Sequence, residues 1–389
     1  MKSEFEYVRW EKRIKSIWFI TLFVLLAIPQ RVNAESERQW VPVAEANYAD
    51  ILELIAFSAK ANYGEISSWQ GRINILATDH HYGENVAAKL PMIDKSSLKG
   101  NTQHICGTAK TLAEFAVDIR NDKIYSNVEP TMQFRAVDLD QNVPFTKGVS
   151  VNNVRTILTP EIWIHYEPAY KYYPKWYEFL PKGRRPEKMA FIDAAQDVKG
   201  DIHDPRRFFN SGGEERKLWE TLLQIRSDIN ERINVRVESY PHIGISSMET
   251  KSGIKYRILT TWKTGENSVI KYIRILLEVD EAARFNTIKV EATNPDGVKL
   301  TSKQYTYEDF NGIYVPKTIR EELRNNKGEI TGTSEITIEN IRVNLPLPEN
   351  TFSIKNLGVE EDTLVTDNIK KTEYRYSKGD LVPIADVNK

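Results

Sequence analysis

The feature that most constrains this chain is the regularity of residues 254 to 343, where "TGEN", "DEAARF", "NPDG", "FNG" and "NNKGE" separate runs of about ten residues rich in Ile, Val, Thr and Tyr. Gly, Asn and Asp accept the left-handed backbone of tight turns, so the pattern predicts six antiparallel strands in sequence. Within the runs the faces alternate. Ile273, Ile275, Leu277 and Val279 oppose Tyr272, Arg274 and Glu278, and Ile288 and Val290 oppose Lys289 and Glu291. A sheet with one dry and one mixed face must be covered on its dry side by other elements.

Two stretches are suited to that cover. "VAEANYADILELIAFSAKANYG" predicts an amphipathic helix over 44–62, with Ile51, Leu54, Ile55 and Ser58 on one stripe and Asn62 and Gly64 as the stop. "EERKLWETLLQIRSDINERI" predicts another, with Leu218, Leu222, Ile225 and Ile229 aligned to pack on a sheet. Before it, "HDPRRFF" reads as helical, with Asp204 as cap and Pro205 in the first turn.

"YGEISS" is expected to be a turn, after which the period changes to two. In "SSWQGRINILA" Ile73 and Ile75 oppose Arg72 and Asn74, and Trp69 is expected to open this first strand under the helix 44–62. Further alternating runs are "AEFAVDIR", "IYSNV", "MQFRAVDL" and "EIWIHY", with "RNDK" as a hairpin turn and "TLVTDNIKKTEYRY" as a last hairpin. The organisation predicted is one β domain over 35–357, interrupted by insertions at about 78–104 and 140–232. A C-terminal hairpin or tail, 358–389, follows it.

Residues 1–34 have the three-part form of a secretory signal: a basic leader, the uncharged "IWFITLFVLLAI" and "PQRVNA" ending in Ala34, after which cleavage is expected. That apolar run is short for a hydrocarbon layer about 30 Å thick. Its removal takes away six basic and three acidic residues and leaves a small acidic excess, which does not suit nucleic acid. With 41% hydrophobic and 28% charged residues a core is available, and Cys106, the single cysteine, allows no internal disulfide. A monomer of the periplasm or another extracytoplasmic compartment, stabilised by packing alone, is the expectation.

Candidate chemistry is sparse. In "DHHYGEN", Asp79, His80, His81 and Glu84 could share a divalent ion only in a loop, because neighbouring side chains on a strand point to opposite faces; a solvated loop is the expected form. In "QHICG", His104 and Cys106 could share a strand face as a thiolate–imidazole pair, against the simpler reading of a buried cysteine. No nucleophile elbow, phosphate loop, dinucleotide fingerprint or zinc ribbon is present, so neither enzyme activity, cofactor nor metal is expected. The segment 166–185 combines Tyr170, Tyr173, Trp176, Tyr177 and Phe179 with Arg184 and Arg185, which suits an interface with an apolar ligand, an anionic membrane surface or a protein partner.

The order of elements, the strand "SSWQGRINI", the strand "FNGIYVPKTI" and the exit "VNLPLPENTF" together resemble the superfamily of periplasmic lipoprotein carriers and related envelope proteins: LolA, LppX and the amino-terminal domain of RseB. The resemblance implies an α+β fold: a strongly curved, half-open antiparallel β-barrel packed on plug helices around an apolar cavity. It implies no catalytic residue. Trp69, Ile73, Phe134, Ile273, Ile275 and Leu277 of the sheet, with Leu222 and Ile225 of the plug, are the expected cavity lining. The function expected is non-enzymatic binding of a lipid or lipidated protein; the alternative is an envelope sensor or scaffold that binds a protein through its aromatic loop.

Overall fold

The computed structural model describes residues 39–82, 104–137, 144–150, 153–167, 189–197, 204–209, 217–234, 243–263 and 272–384. The chain falls into two compact units, Met1–Val41 and Pro42–Lys389, and of the first only residues 39–41 are described.

The elements in chain order are β1 (Val41–Pro42), α1 (Tyr48–Gly64), β2 (Ser68–Tyr82), β3 (His104–Asp118), β4 (Lys123–Val137), β5 (Pro144–Ser150), β6 (Val154–Leu158), β7 (Ile162–Glu167) and β8 (Met189–Ala194). They continue as α2 (Leu218–Asn234), β9 (Gly244–Thr250), β10 (Gly253–Lys263), β11 (Tyr272–Asp280), β12 (Asn286–Thr293), β13 (Lys299–Phe310), β14 (Ile313–Arg324) and β15 (Ile330–Val343). Last come β16 (Leu364–Asp367), β17 (Thr372–Ser377) and β18 (Asp380–Pro383).

The six-strand meander is β10 to β15, each strand antiparallel to the next, with β9 added beside β10. Its turns use the predicted chemistry: Asn311 and Gly312 both have positive φ, at 57° and 87°, as a two-residue hairpin turn requires. At "NPDG" the Asn294 side chain accepts from the Val298 amide at 2.9 Å. The seam of the molecule is β15, which pairs with β14 on one side and with β2 on the other, Ile336 opposite Ile75 and Ile338 opposite Ile73.

From β2 the sheet continues through β3 and β4 to β6, β7 and β8. "IYSNV" and "MQFRAV", read as separate runs, are one strand, β4. It pairs with β6 over Ile124–Val128 and with β5 over Thr131–Val137, and Pro130, which has no N–H to give, lies where the partner changes. The sheet ends on the C-terminal strands: β16 lies parallel to β8, and β17 and β18 follow in antiparallel order. Among the described residues no pairing joins β9 at one end to β18 at the other, so the sheet is open, as a half-open barrel is.

Both helices pack on one face of the sheet, called inner here. Leu52, Ile55, Ala56 and Ala59 of α1 and Leu218, Trp219, Leu222 and Ile225 of α2 form one buried cluster with Ile258, Leu277, Val279, Val290, Tyr305 and Ile319 of the meander. The buried stripe of α1 differs from the one expected, since Leu54 is 51% exposed and Leu52 and Asn62 are fully buried. Asn62 turns the stripe: its side chain is committed to the backbone of Tyr314, which fixes the helix rotation.

On the outer face of β6 to β8 a separate cluster, Ile157, Ile164, Tyr166, Ala190 and Ile192, is covered by Leu357, Val359, Val365 and Tyr376 of the C-terminal segment. Elsewhere the outer face carries ion pairs such as Arg72–Glu114 at 2.8 Å and Arg320–Glu335 at 3.0 Å, which contribute little in water.

Candidate functional site

The inner face is the natural place for a site, because β-strand alternation and the two helices bring most of the buried apolar side chains among the described residues there. A second buried cluster lies beside the first: Ile66, Trp69, Ile73, Ala113, Phe115, Val117, Ile124, Val128, Trp163, Phe209, Val315 and Ile338. Tyr63, at the end of α1, joins the two, with its ring 5.2 Å from Phe209 and 5.1 Å from Trp219.

Trp69 is the second residue of β2, which begins at Ser68, and is fully buried. Its ring packs edge-on against Phe115 at 5.1 Å and Phe209 at 5.6 Å, so the short 3-10 helix Pro205–Phe209 supplies a large part of its cover. Of the other residues expected on the inner face, Ile73 joins Trp69, while Leu277, Leu222 and Ile225 belong to the helix cluster with Ile275 packed against it. Ile273 is half-buried on the same face two residues before Ile275, and Phe134 lies on β4, its side chain outside the described part. The aromatic and basic residues Tyr170, Tyr173, Trp176, Tyr177, Phe179, Arg184 and Arg185 lie outside the described residues.

The apolar inner face extends beyond the ground that the helices cover. Ile75 and Ile336, directly paired, and Ile275 are only partly buried, and Leu323, in the same facing set through Gly332, is 40% exposed. Between the row Tyr305, Ile319, Ile336 and Ile75 and the position of Leu323 lie the paired Lys303 and Glu321, a 3.0 Å ion pair on the same face.

A polar cluster closes the region where α1, α2, the 3-10 helix and the β3–β4 turn meet. Arg206 bonds Asp204 and reaches Asp122 in the turn, and the Lys217 ammonium donates to the Arg206 carbonyl at 2.6 Å and lies 5.4 Å from the Tyr63 ring centre. Burial pushes Lys217 down to about 8, against the pull of Asp204, and pushes Tyr63 up to about 12. The group links four elements in the way a structural lock does.

On β7, Trp163, His165 and Glu167 share the inner face. His165 Nε2 is 2.8 Å from Glu167, and the Trp163 and His165 ring centres are 5.3 Å apart. "EIWIHY" is legible in sequence only as a strand; the further signal in it is the alternate spacing of an indole, an imidazole and a carboxylate.

The histidines of "DHHYGEN" differ from expectation. β2 runs on through Asp79, His80 and His81, which are strand and not loop, and His80 pairs with Cys106 across β3. Glu84 lies outside the described residues, and among the described residues no group of three candidate ligands is assembled. His104 and Cys106 do lie two apart on β3. No helix among the described residues is long and apolar enough to cross a membrane.

No family model matches this chain, and no curated protein does. Among solved structures, it is similar to a domain described as an outer membrane lipoprotein-sorting protein from Vibrio parahaemolyticus, at 11% identity over 79% of this chain and 99% of that one, with a TM-score of 0.31. It is similar also to a DUF1329 family protein from Desulfovibrio piger, at 10% identity over 79% and 98% of the two chains and a TM-score of 0.29. A third is a LolA superfamily protein from Nitrosomonas europaea, at 11% identity over 77% and 98% and a TM-score of 0.26.

Proposed function

We propose that the protein is an exported, non-enzymatic binder that sequesters a lipid or an acylated protein between its sheet and its two helices. What supports this reading is the incomplete cover of the inner face, where Ile75, Ile275 and Ile336 are only partly buried and Leu323 is 40% exposed. An acyl chain laid along it gains about 0.8 kcal/mol for each methylene removed from water, so affinity needs no exact polar constellation. Ile273 extends the same face on β11, and parting of the cover from the sheet would give access to the buried Trp69 and Ile73.

The test is native mass spectrometry of the mature protein purified from the cell envelope without detergent, with lipid extraction of the same sample. A stoichiometric lipid or acylated peptide that is lost in Leu323→Lys supports the reading. A protein that is empty and stays empty when offered lipids overturns it in favour of a scaffold.

A further inference from the structure

We infer that the inner face of β7 holds a hydroxyl-bearing ligand group between the Trp163 indole N–H and His165 Nδ1. The inference rests on the binding role proposed above and names the head-group chemistry that this role requires. Trp163 is 8% exposed, and its Nε1 has no hydrogen-bond partner among the described residues; Nδ1 of His165 is likewise buried and unpartnered among them. Buried polar atoms are nearly always satisfied, so two such atoms on rings 5.3 Å apart mark a place where a polar group from outside the chain belongs.

Their chemistry is complementary. The Glu167 carboxylate beside Nε2 accepts, so Nε2 carries the hydrogen, and in the neutral ring Nδ1 is left as an acceptor. An indole N–H only donates. A donor next to an acceptor fits a group that does both, which a hydroxyl does and a carboxylate or an ammonium does not.

The surroundings extend the polar character. Thr156 pairs with His165 across β6, Ser126 pairs with Thr156 across β4, and their buried hydroxyls share one 2.7 Å bond, which leaves one hydroxyl hydrogen for another acceptor. Side-chain exposure rises along β7 from His165, at 18%, to Glu167, at 34%, so the row leads from the core towards solvent. Trp69, in the same buried cluster as Trp163, also has an indole N–H without a partner among the described residues. An alcohol head at His165 would leave its chain against the apolar side chains of that cluster.

The test compares dodecanol with dodecane, each offered to the full mature protein and counted by native mass spectrometry, while NMR follows the indole N–H resonance that disappears in Trp163→Phe. We expect dodecanol to be held in preference to dodecane and to move that resonance. In Trp163→Phe, which keeps an aromatic ring and removes the donor, dodecanol retention should fall about tenfold while dodecane is unaffected. Equal retention of the two with an unmoved resonance overturns the inference and leaves the carrier reading intact. A resonance already that of a hydrogen-bonded indole, and unchanged by dodecanol, assigns the site to a buried water and overturns it too. Retention of neither probe removes both readings. If Trp163→Phe does not fold, the Trp163 indole resonance is assigned in the unsubstituted protein by triple-resonance NMR and its response to dodecanol decides alone.

Discussion

The side-chain amide of Asn62 is bound to both backbone groups of Tyr314: Nδ2 donates to the Tyr314 carbonyl and Oδ1 accepts from the Tyr314 amide, each at 2.8 Å. Asn62 is fully buried at the last turn of α1, and Tyr314 lies on β14 before the part of that strand that pairs with β15. The amide thus stands in for a neighbouring strand and fixes the helix to the sheet at one register.

Asn62→Leu should fill a similar space but leave a buried N–H and a buried C=O without partners, at a cost of about 3 kcal/mol. Urea unfolding followed by tryptophan fluorescence measures this as a lower midpoint at unchanged slope. A change within half a kilocalorie would mean that the pairing contributes no net stability.

Lys217 predicts a stability that rises with pH. Its folded value is about 8 against 10.5 when free, so the unfolded chain binds the proton more tightly, and folding gains as pH rises from about 8 towards 10.5. The gain is about 2 kcal/mol, allowing for the solvent that still reaches the ammonium. From pH 10 upwards Tyr63, raised to about 12, acts in the opposite sense, because the unfolded phenol ionises first. The rise should therefore appear between about pH 8 and pH 10 and be absent in Lys217→Met, as read by chemical denaturation at a series of pH values.

The C-terminal segment should be released by one substitution. Arg155 donates to the carbonyls of Leu357 at 2.7 Å and Gly358 at 3.1 Å, and Gly358 has φ of 58°, where an added Cβ would come within 2.5 Å of the Arg155 guanidinium. Gly358→Val should break this clamp, uncover Ile157 and Ile164, and make limited proteolysis near residue 358 much faster while α1 and the meander stay protected. Equal cleavage rates in the two proteins would show that the outer cluster holds the segment without the clamp.

How far the sequence was legible follows from which interactions are local. The meander was readable because its alternation and its turn residues lie within ten residues or so of each other. The rotation of α1 was not, because it depends on a polar side chain bonding a backbone 252 residues away. The same holds for Asn344, read only as part of an exit motif. Its Oδ1 accepts from the Ser67 amide at 2.6 Å and the Ser67 hydroxyl at 2.8 Å, and its Nδ2 donates to the Glu65 carbonyl at 2.8 Å, so the "YGEISS" turn is held from the far end of β15. The residues of the proposed ligand site were hidden for another reason: Trp163 and His165 sit in a strand whose pattern is equally that of plain packing, and what sets them apart is nitrogens without partners among the described residues.

The seam at β15 also sets an order of assembly. β2 and β3 can pair with each other early, but the other edge of β2 has no partner until residues 330–343 have been made, more than two hundred residues later. Through that interval the strand edge that carries Ile73 and Ile75 stays available to any other chain. A molecule built this way leaves that edge uncovered until β15 docks, so its yield, more than its final stability, is the quantity most exposed to changes in β15.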